Sequence, residues 1–277
     1  MSGDPTVRAV PLAKPRRARR LPPWEVSRPY ALSLAAVVAL CALLLWLVLG
    51  GVGGDGTYAW DFRVVEPYLS LLLKGLRLTL ELTVVSIALG MSIGVLVAGA
   101  RLSSIPLLRW LSSAYIELAR CTPVLVQLVW VFYALPIVTG VRLSGFQAAV
   151  VALTFNVAAF YGESFRSGIQ AVPREQVETA EILGLSYAQR MRFVVIPQAV
   201  RIVIPVLLSL SISLFKDTSL VSVLGLNDLM NNSTTAALAT YRPLEILTVA
   251  AVMYFAVAFP LTLLVRRVER RLSRHRR

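Results

Sequence analysis

A polytopic all-α bundle of about six transmembrane helices is the fold this sequence predicts. Three features lead there: an excess of apolar residues, their gathering into long runs nearly free of charge, and basic residues confined to alternate segments between the runs. Apolar residues make up 57% of the 277 positions and charged residues 16%, against roughly 45–50% and about 25% in soluble domains. The runs are Tyr30–Gly50, Leu76–Ala100, Pro123–Val138, Phe146–Tyr161, Val200–Phe215 and Leu244–Val265. A helix needs about 20 such residues to cross a hydrocarbon layer of roughly 30 Å. Three runs meet that length. The shorter ones meet it with amphipathic flanks, such as Ser112–Ala119 before Pro123, or enter the membrane as re-entrant segments.

The basic residues set the orientation. With the N-terminus on the cytoplasmic side, that side holds Lys14, Arg16, Arg17, Arg19 and Arg20, then Arg101 and Arg109, then Arg166, Arg174, Arg190 and Arg192, and finally the tail from Arg266 to Arg277. The opposite side holds Arg63, Lys74, Arg142 and Arg242 beside Asp55, Asp61, Glu66 and Asp228. Cationic loops stay on the cytoplasmic side, so six helices with both termini inside are expected. The net charge of +13 follows from this bias and from basic tails suited to anionic lipid; nucleic acid is not expected as a partner.

Taken in order, residues 1–29 are rich in Pro and Arg without apolar periodicity and read as a disordered cytoplasmic tail. Residues 30–50 span a full bilayer and follow too long a basic segment for a cleaved leader, so they read as a retained first helix. Gly51, Gly53 and Gly56 match a dinucleotide-binding spacing by chance, because no strand precedes them and no helix opens after them. Gly90, Gly94 and Ala98 recur every four residues, a packing face that lets helix backbones approach closely in lipid. Pro123, Pro197, Pro205 and Pro260 fall in or at the ends of membrane segments, where unwound turns are tolerated when neighbours satisfy the freed carbonyls. Cys41 and Cys121 have neither metal-ligand nor disulfide spacing and read as small apolar fillers.

Between the fourth and fifth runs lies a cytoplasmic loop too regular to be a simple connection. Pro173 suits the first position of a helix, Glu175, Glu178 and Glu181 suit its N-terminal half, and Gly184 suits its C-terminal stop. Ser186 with Gln189 is a capping-box pattern that starts a second helix, which Pro197 is expected to end. Val177, Ala180, Leu183, Met191 and Val194 then form apolar surface in need of a partner. A helix–turn–helix outside the membrane with such a surface fits a docking element.

Its residues also carry a resemblance. Glu178-Thr179-Ala180, then Gly184, then Val194-Val195-Ile196-Pro197 is similar to the EAA loop of ABC importer permeases, with Thr179 where Ala is usual and with every spacing kept. Arg120 to Gln127, Asn156 to Gly168, and Lys216-Asp217-Thr218-Ser219-Leu220 resemble motifs of the polar amino acid branch of that family, with Cys121 in place of Gly and Phe160 in place of Tyr. The resemblance implies a permease domain over 68–268, made of a five-helix type I importer core, with 30–50 added before it and a basic tail at 269–277. It implies that Glu178, Thr179, Ala180, Gly184, Val194, Ile196 and Pro197 belong to a loop, 173–197, that couples the chain to a separate ATPase. It further implies a cytoplasmic ATPase dimer, an extracytoplasmic solute-binding protein, a second permease copy or paralogue, and a small zwitterionic substrate. That substrate is a polar amino acid, or alternatively an osmolyte such as ectoine or a betaine. A bacterial inner-membrane location follows from the same resemblance.

Catalytic machinery is not expected. The lone His275 can build neither a triad nor a His-cluster metal site, and Lys14, Lys74 and Lys216 lack the glycine context of a P-loop. No cofactor or metal is expected in this chain. A secondary transporter would more often show repeated halves with broken helices, and no such repeat is seen. Charged groups at membrane depth mark function or a bound partner, which draws attention to Glu81, Glu163, Arg166, Lys216 and Asp217. Glu163 and Arg166 read as an i, i+3 pair at the cytoplasmic mouth. Lys216 and Asp217 either pair with each other or face a polar cavity, where they would meet a zwitterion's two charges. Gln127 and Asn156 either bridge helices or line the substrate path.

Overall fold

The long apolar runs become long helices because a chain in hydrocarbon must satisfy every backbone N–H and C=O within itself. The computed structural model describes Ala39 and residues 58–273. The expected tail 1–29, the added helix 30–50 apart from the helical Ala39, and residues 274–277 lie outside the described residues. After a 3₁₀ turn, Phe62–Tyr68, the helices are α1, Leu69–Leu102; α2, Pro106–Cys121; α3, Val124–Val129, running through a π turn into α4, Leu135–Thr139; and α5, Gly145–Gln170. Two short helices follow, α6, Arg174–Ile182, and α7, Tyr187–Arg190. Then come α8, Ile196–Asp217, a 3₁₀ turn Thr218–Leu224, α9, Leu229–Thr240, and α10, Pro243–Ser273. No strand occurs among the described residues.

Four stretches, Phe62–Leu102, Gly145–Gln170, Tyr187–Leu224 and Pro243–Leu272, are long and apolar enough to cross a membrane. The pair Pro106–Cys121 and Val124–Thr139 is long and apolar enough only when taken together, and it is bent by 106° at the Thr122-Pro123 break, as a broken span or a re-entrant segment is. This corrects one expectation. Ser112–Ala119 does not lengthen the span that begins at Pro123, because the chain turns away there. Pro123 has no N–H to donate and disfavours helix at the residue before it, and Thr122 is extended, with ψ 137°.

The bundle is organised around α5. Ala148, Ala149, Ala152, Leu153, Val157, Ala158, Ala159 and Tyr161 are all buried, so nearly every face of this helix meets protein. It crosses α1 at the small residues. A Cβ on Gly90 would come within 2.5 Å of Val157 Cγ1, and one on Gly94 within 2.8 Å of Tyr161 Cβ, so two helix axes approach closely only because these positions carry no side chain. The Tyr161 hydroxyl reaches across to Ser211 Oγ on α8 at 2.7 Å. Outside this core the surface inverts: Val84, Leu96, Val252 and Phe255 are exposed apolar side chains, the face a span offers to lipid.

Candidate functional site

The loop 173–197 is built from two helix ends placed back to back. Pro173 precedes α6. At its other end Gly184 adopts φ +79°. The Gly184 amide donates to Glu181 O at 2.9 Å and the Leu185 amide to Ala180 O at 3.1 Å, the paired bonds of a Schellman motif. Only glycine adopts this left-handed backbone without strain. Two residues on, Ser186 and Gln189 form a reciprocal capping box that opens α7. Arg190 Nη1 then returns to Glu181 Oε2 at 2.5 Å, tying the second helix to the first.

Pro197 does not end the second helix, contrary to the sequence expectation. The chain passes from α7 through a π turn, Met191–Val195, straight into α8, and Pro197 sits in the first turn of α8. Proline is tolerated in a first turn because the N–H it lacks needs no helical partner there, and the wider π turn carries the backbone past it. Val194 and Ile196 therefore lie on one continuous helical path with the apolar stretch of α8.

The loop's apolar residues divide into two sets. Val177 and Met191 pack against Val172, Val195 and Ala199, and Ala180 is buried, so these hold the loop to the bundle. Leu183 is 74% exposed, and with it stand Ile182 at 85%, Tyr187 at 71% and Phe193 at 65%. Ile182, Tyr187 and Phe193 were missed by the sequence reading. A helical wheel centred on Ala180 would have placed Ile182 outward, since two residues turn a helix by about 200°. Glu178 and Thr179 also face outward.

At the nearby end of the bundle Glu163 takes two hydrogen bonds from the Arg166 guanidinium, with Arg101 Nη1 at 3.4 Å. Arg166 also donates to Gln170. The expected i, i+3 pair is present, and the structure adds Arg101 from the end of α1. Glu81 is met one turn away by Arg77 at 2.7 Å on an exposed face.

The candidate path residues fall in two places. Gln127 and Asn156 are buried and brace the helix break: Gln127 Nε2 donates to Ala119 O at 2.9 Å and to Thr122 Oγ1 at 2.6 Å, and Asn156 Nδ2 donates to the same Ala119 carbonyl at 3.1 Å. They satisfy carbonyls that α2 loses at its C-terminus. Lys216 and Asp217 lie at the end of α8, and no ion pair joins them among the described residues. Lys216 lines a groove of about 290 Å³ with Ser209 and Ser213 of α8 and with Thr262, Arg266 and Glu269 of α10.

A chain with apolar spans packed around α5 and a short helical pair outside them is of the integral membrane class. Residues 77–274 match the family of binding-protein-dependent transport system inner membrane components, and the chain belongs to that family. It is 35% identical over 213 residues to the arginine transport system permease protein ArtQ of Bacillus subtilis, covering 77% of this chain and 97% of that one. It is 34% identical over 221 residues to the glutamate/aspartate import permease protein GltK of Escherichia coli, covering 77% and 99%. The fold is similar to that in the crystal structure of an amino acid ABC transporter with histidines, with a TM-score of 0.74, 36% identity, and coverage of 77% of this chain and all of that one.

Proposed function

We propose that this chain is the membrane-spanning permease of an ATP-driven importer of polar amino acids, driven through its loop 173–197 by a separate cytoplasmic ATPase. The observation that carries the coupling role is the exposed apolar set Ile182, Leu183, Tyr187 and Phe193, displayed on a rigid pair of helices outside the spans. Exposed apolar patches rimmed by charge mark protein contacts, and here Glu178, Arg190 and Arg192 form the rim. The continuous path from α7 into α8 gives the partner a lever: displacement of the docked loop moves α8 as a body. The reading sets the loop and both termini on the cytoplasmic side of the bacterial inner membrane. It pairs the chain with a second permease and supplies its substrate from an extracytoplasmic binding protein. The amino acid class rests on the relatives, whose names specify arginine and glutamate/aspartate.

Gly184→Asp tests the coupling. A side chain at φ +79° costs roughly 1 kcal/mol or more, although nothing within 4 Å would obstruct it. The variant is expected to insert and assemble, and to lose at least tenfold in uptake and in ATPase stimulation by the loaded binding protein. Wild-type uptake and stimulation in an intact complex would refute the coupling role.

The substrate path in this reading runs past α8. Ser209, Ser213 and Lys216 share one exposed helical face, and a cation on a membrane helix needs a polar surrounding. Gln127 and Asn156, whose amide donors are taken by backbone carbonyls, brace the path without lining it. Lys216→Ala and Asp217→Ala are expected to cut uptake with assembly intact. Normal transport by both single variants removes them from the path.

A further inference from the structure

The helix before the break, α2, is divided lengthwise into three sectors. At 100° per residue, Ser112, Ile116 and Ala119 share the side that is buried, with Ile116 and Ala119 clustered with Val97, Phe155 and Ala159 of the bundle. About 100° round from it stand Arg109, Ser113, Glu117 and Arg120. On the other flank stand Leu107, Leu111 and Leu118, with Trp110 beyond them, all exposed. A helix that crosses a bilayer alongside a bundle has lipid on both flanks, and a stripe bearing Arg109, Glu117 and Arg120 along its whole length would lie in hydrocarbon. A helix lying flat at the membrane surface against a bundle has water on one flank and acyl chains on the other. The 106° turn between α2 and the α3–α4 segment supplies that attitude: with α3–α4 near the membrane normal, α2 lies close to the plane.

Under the apolar flank, in the crook of the turn, is a cavity of about 560 Å³ lined by Leu118, Val126, Trp130, Leu135, Val151 and Phe155, among others. It opens sideways. A second apolar groove of about 490 Å³ continues beyond Val151 and Phe155 to Leu89, Ile93 and Tyr115. Neither carries a charged residue in its lining.

We propose that α2 is an in-plane interfacial helix and that the crook beneath it is a binding site for the acyl chain of a membrane phospholipid. The water flank, the lipid flank and the cavity stand in the order that a bilayer surface imposes. Gln127 and Asn156 make the arrangement possible, because their hydrogen bonds to Ala119 O close the end of α2 where it dips toward hydrocarbon. The site is independent of the coupling loop and of the Lys216 groove.

The test uses the full-length chain in its assembled complex in liposomes, with Cys41 and Cys121 replaced by Ser and single spin labels at Leu107, Leu111, Ala114 and Leu118. Immersion depth is read from collisions with oxygen and with a water-soluble nickel chelate. The four depths are expected to agree within about 5 Å, one helical pitch, with labels at Ser113 and Glu117 reached by the chelate. A depth that changes steadily by about 16 Å from 107 to 118, the rise of eleven helical residues, would overturn the in-plane assignment. Labels at Val126 and Val151 are expected to collide freely with oxygen; if both are shielded from oxygen and chelate alike, protein fills the crook and the lipid site is wrong. The unmodified complex gives a second reading. A phosphatidylglycerol bearing a diazirine in its acyl chain is expected to leave adducts on peptides containing Val126–Leu135 or Val151–Phe155, and adducts confined to other segments would overturn the site.

Discussion

The two ends of the bundle each hold carboxylates, and they hold them by opposite means. At the end next to the loop 173–197 Glu163 is partly exposed and flanked by Arg166 and Arg101. At the other end Glu245 and Asp228 are fully buried. Glu245 accepts from the Asp61 amide at 3.1 Å and from Arg242 at 3.2 Å, which fastens the segment before α1 to the start of α10. Asp228 caps α9, accepting from the amides of Met230 and Asn231. Beside it Asn232 Nδ2 donates to Leu71 O at 2.9 Å and the Leu229 amide donates to Thr79 Oγ1 at 3.2 Å, so α9 is riveted to α1 through polar bonds in an apolar setting. A charge that keeps contact with water is stabilised cheaply by neighbouring cations. A charge without it depends on every bond it makes. The Glu163 cluster therefore rests on partly exposed ion pairs, while the Asp228 and Glu245 cluster is a buried clamp.

The contrast predicts unequal costs. Glu245→Ala removes the acceptor of the Asp61 amide and of the Arg242 hydrogen bond, and it is expected to destabilise the chain by roughly 2–4 kcal/mol, seen as a fall in melting temperature in detergent. An effect below that of Glu163→Ala would invert the comparison. Asp228 gives a pH-dependent version. Burial pushes its carboxyl up to about 6 from an ordinary 3.8, against the pull of the backbone amides it accepts from. A raised carboxyl favours the neutral form in the folded state. The stability it contributes is thus complete below about pH 4 and is lost as pH rises through about 6. Asp228→Asn keeps the cap, since Asn caps a helix as well as Asp, and removes the titration. Its melting temperature is expected to equal the wild type near pH 4 and to exceed it at pH 7.5; an unchanged difference across that range would show that Asp228 does not titrate there. The smallest effect is expected at the other end. Glu163→Gln keeps a hydrogen-bond acceptor for Arg166 and loses a partly exposed ion pair, for about 1 kcal/mol or less.

The same division separates what was legible in the sequence from what was not. Glu163 and Arg166 stand three apart on one helix, so spacing alone revealed the pair. Arg101 joins from sixty-two residues away, and no local pattern announces it. Glu245 falls at the start of the run Leu244–Val265 and drew no reading, because burial at the helix start depends on how α10 meets the 3₁₀ turn at Phe62. In the loop 173–197 the cap residues Pro173, Gly184, Ser186 and Gln189 were readable because helix ends are set by bonds within four residues. Which of its apolar side chains face inward was not readable: Val177 and Met191 turn to the bundle while Ile182 and Phe193 do not.

By itself the sequence determined the membrane class, the long apolar runs and the helix ends at Gly184 and Ser186. Each of these rests on short-range chemistry: continuous apolar length, local capping, and fixed motif spacing. Only the tertiary structure decided that the chain turns by 106° at Thr122-Pro123, that Pro197 sits inside a continuous helix, and that Gln127 and Asn156 converge on one carbonyl. A proline is compatible with either a stop or a first turn, and an amide with either a ligand or a carbonyl. The choice is made by the distant groups that take up the hydrogen bonds each alternative leaves open.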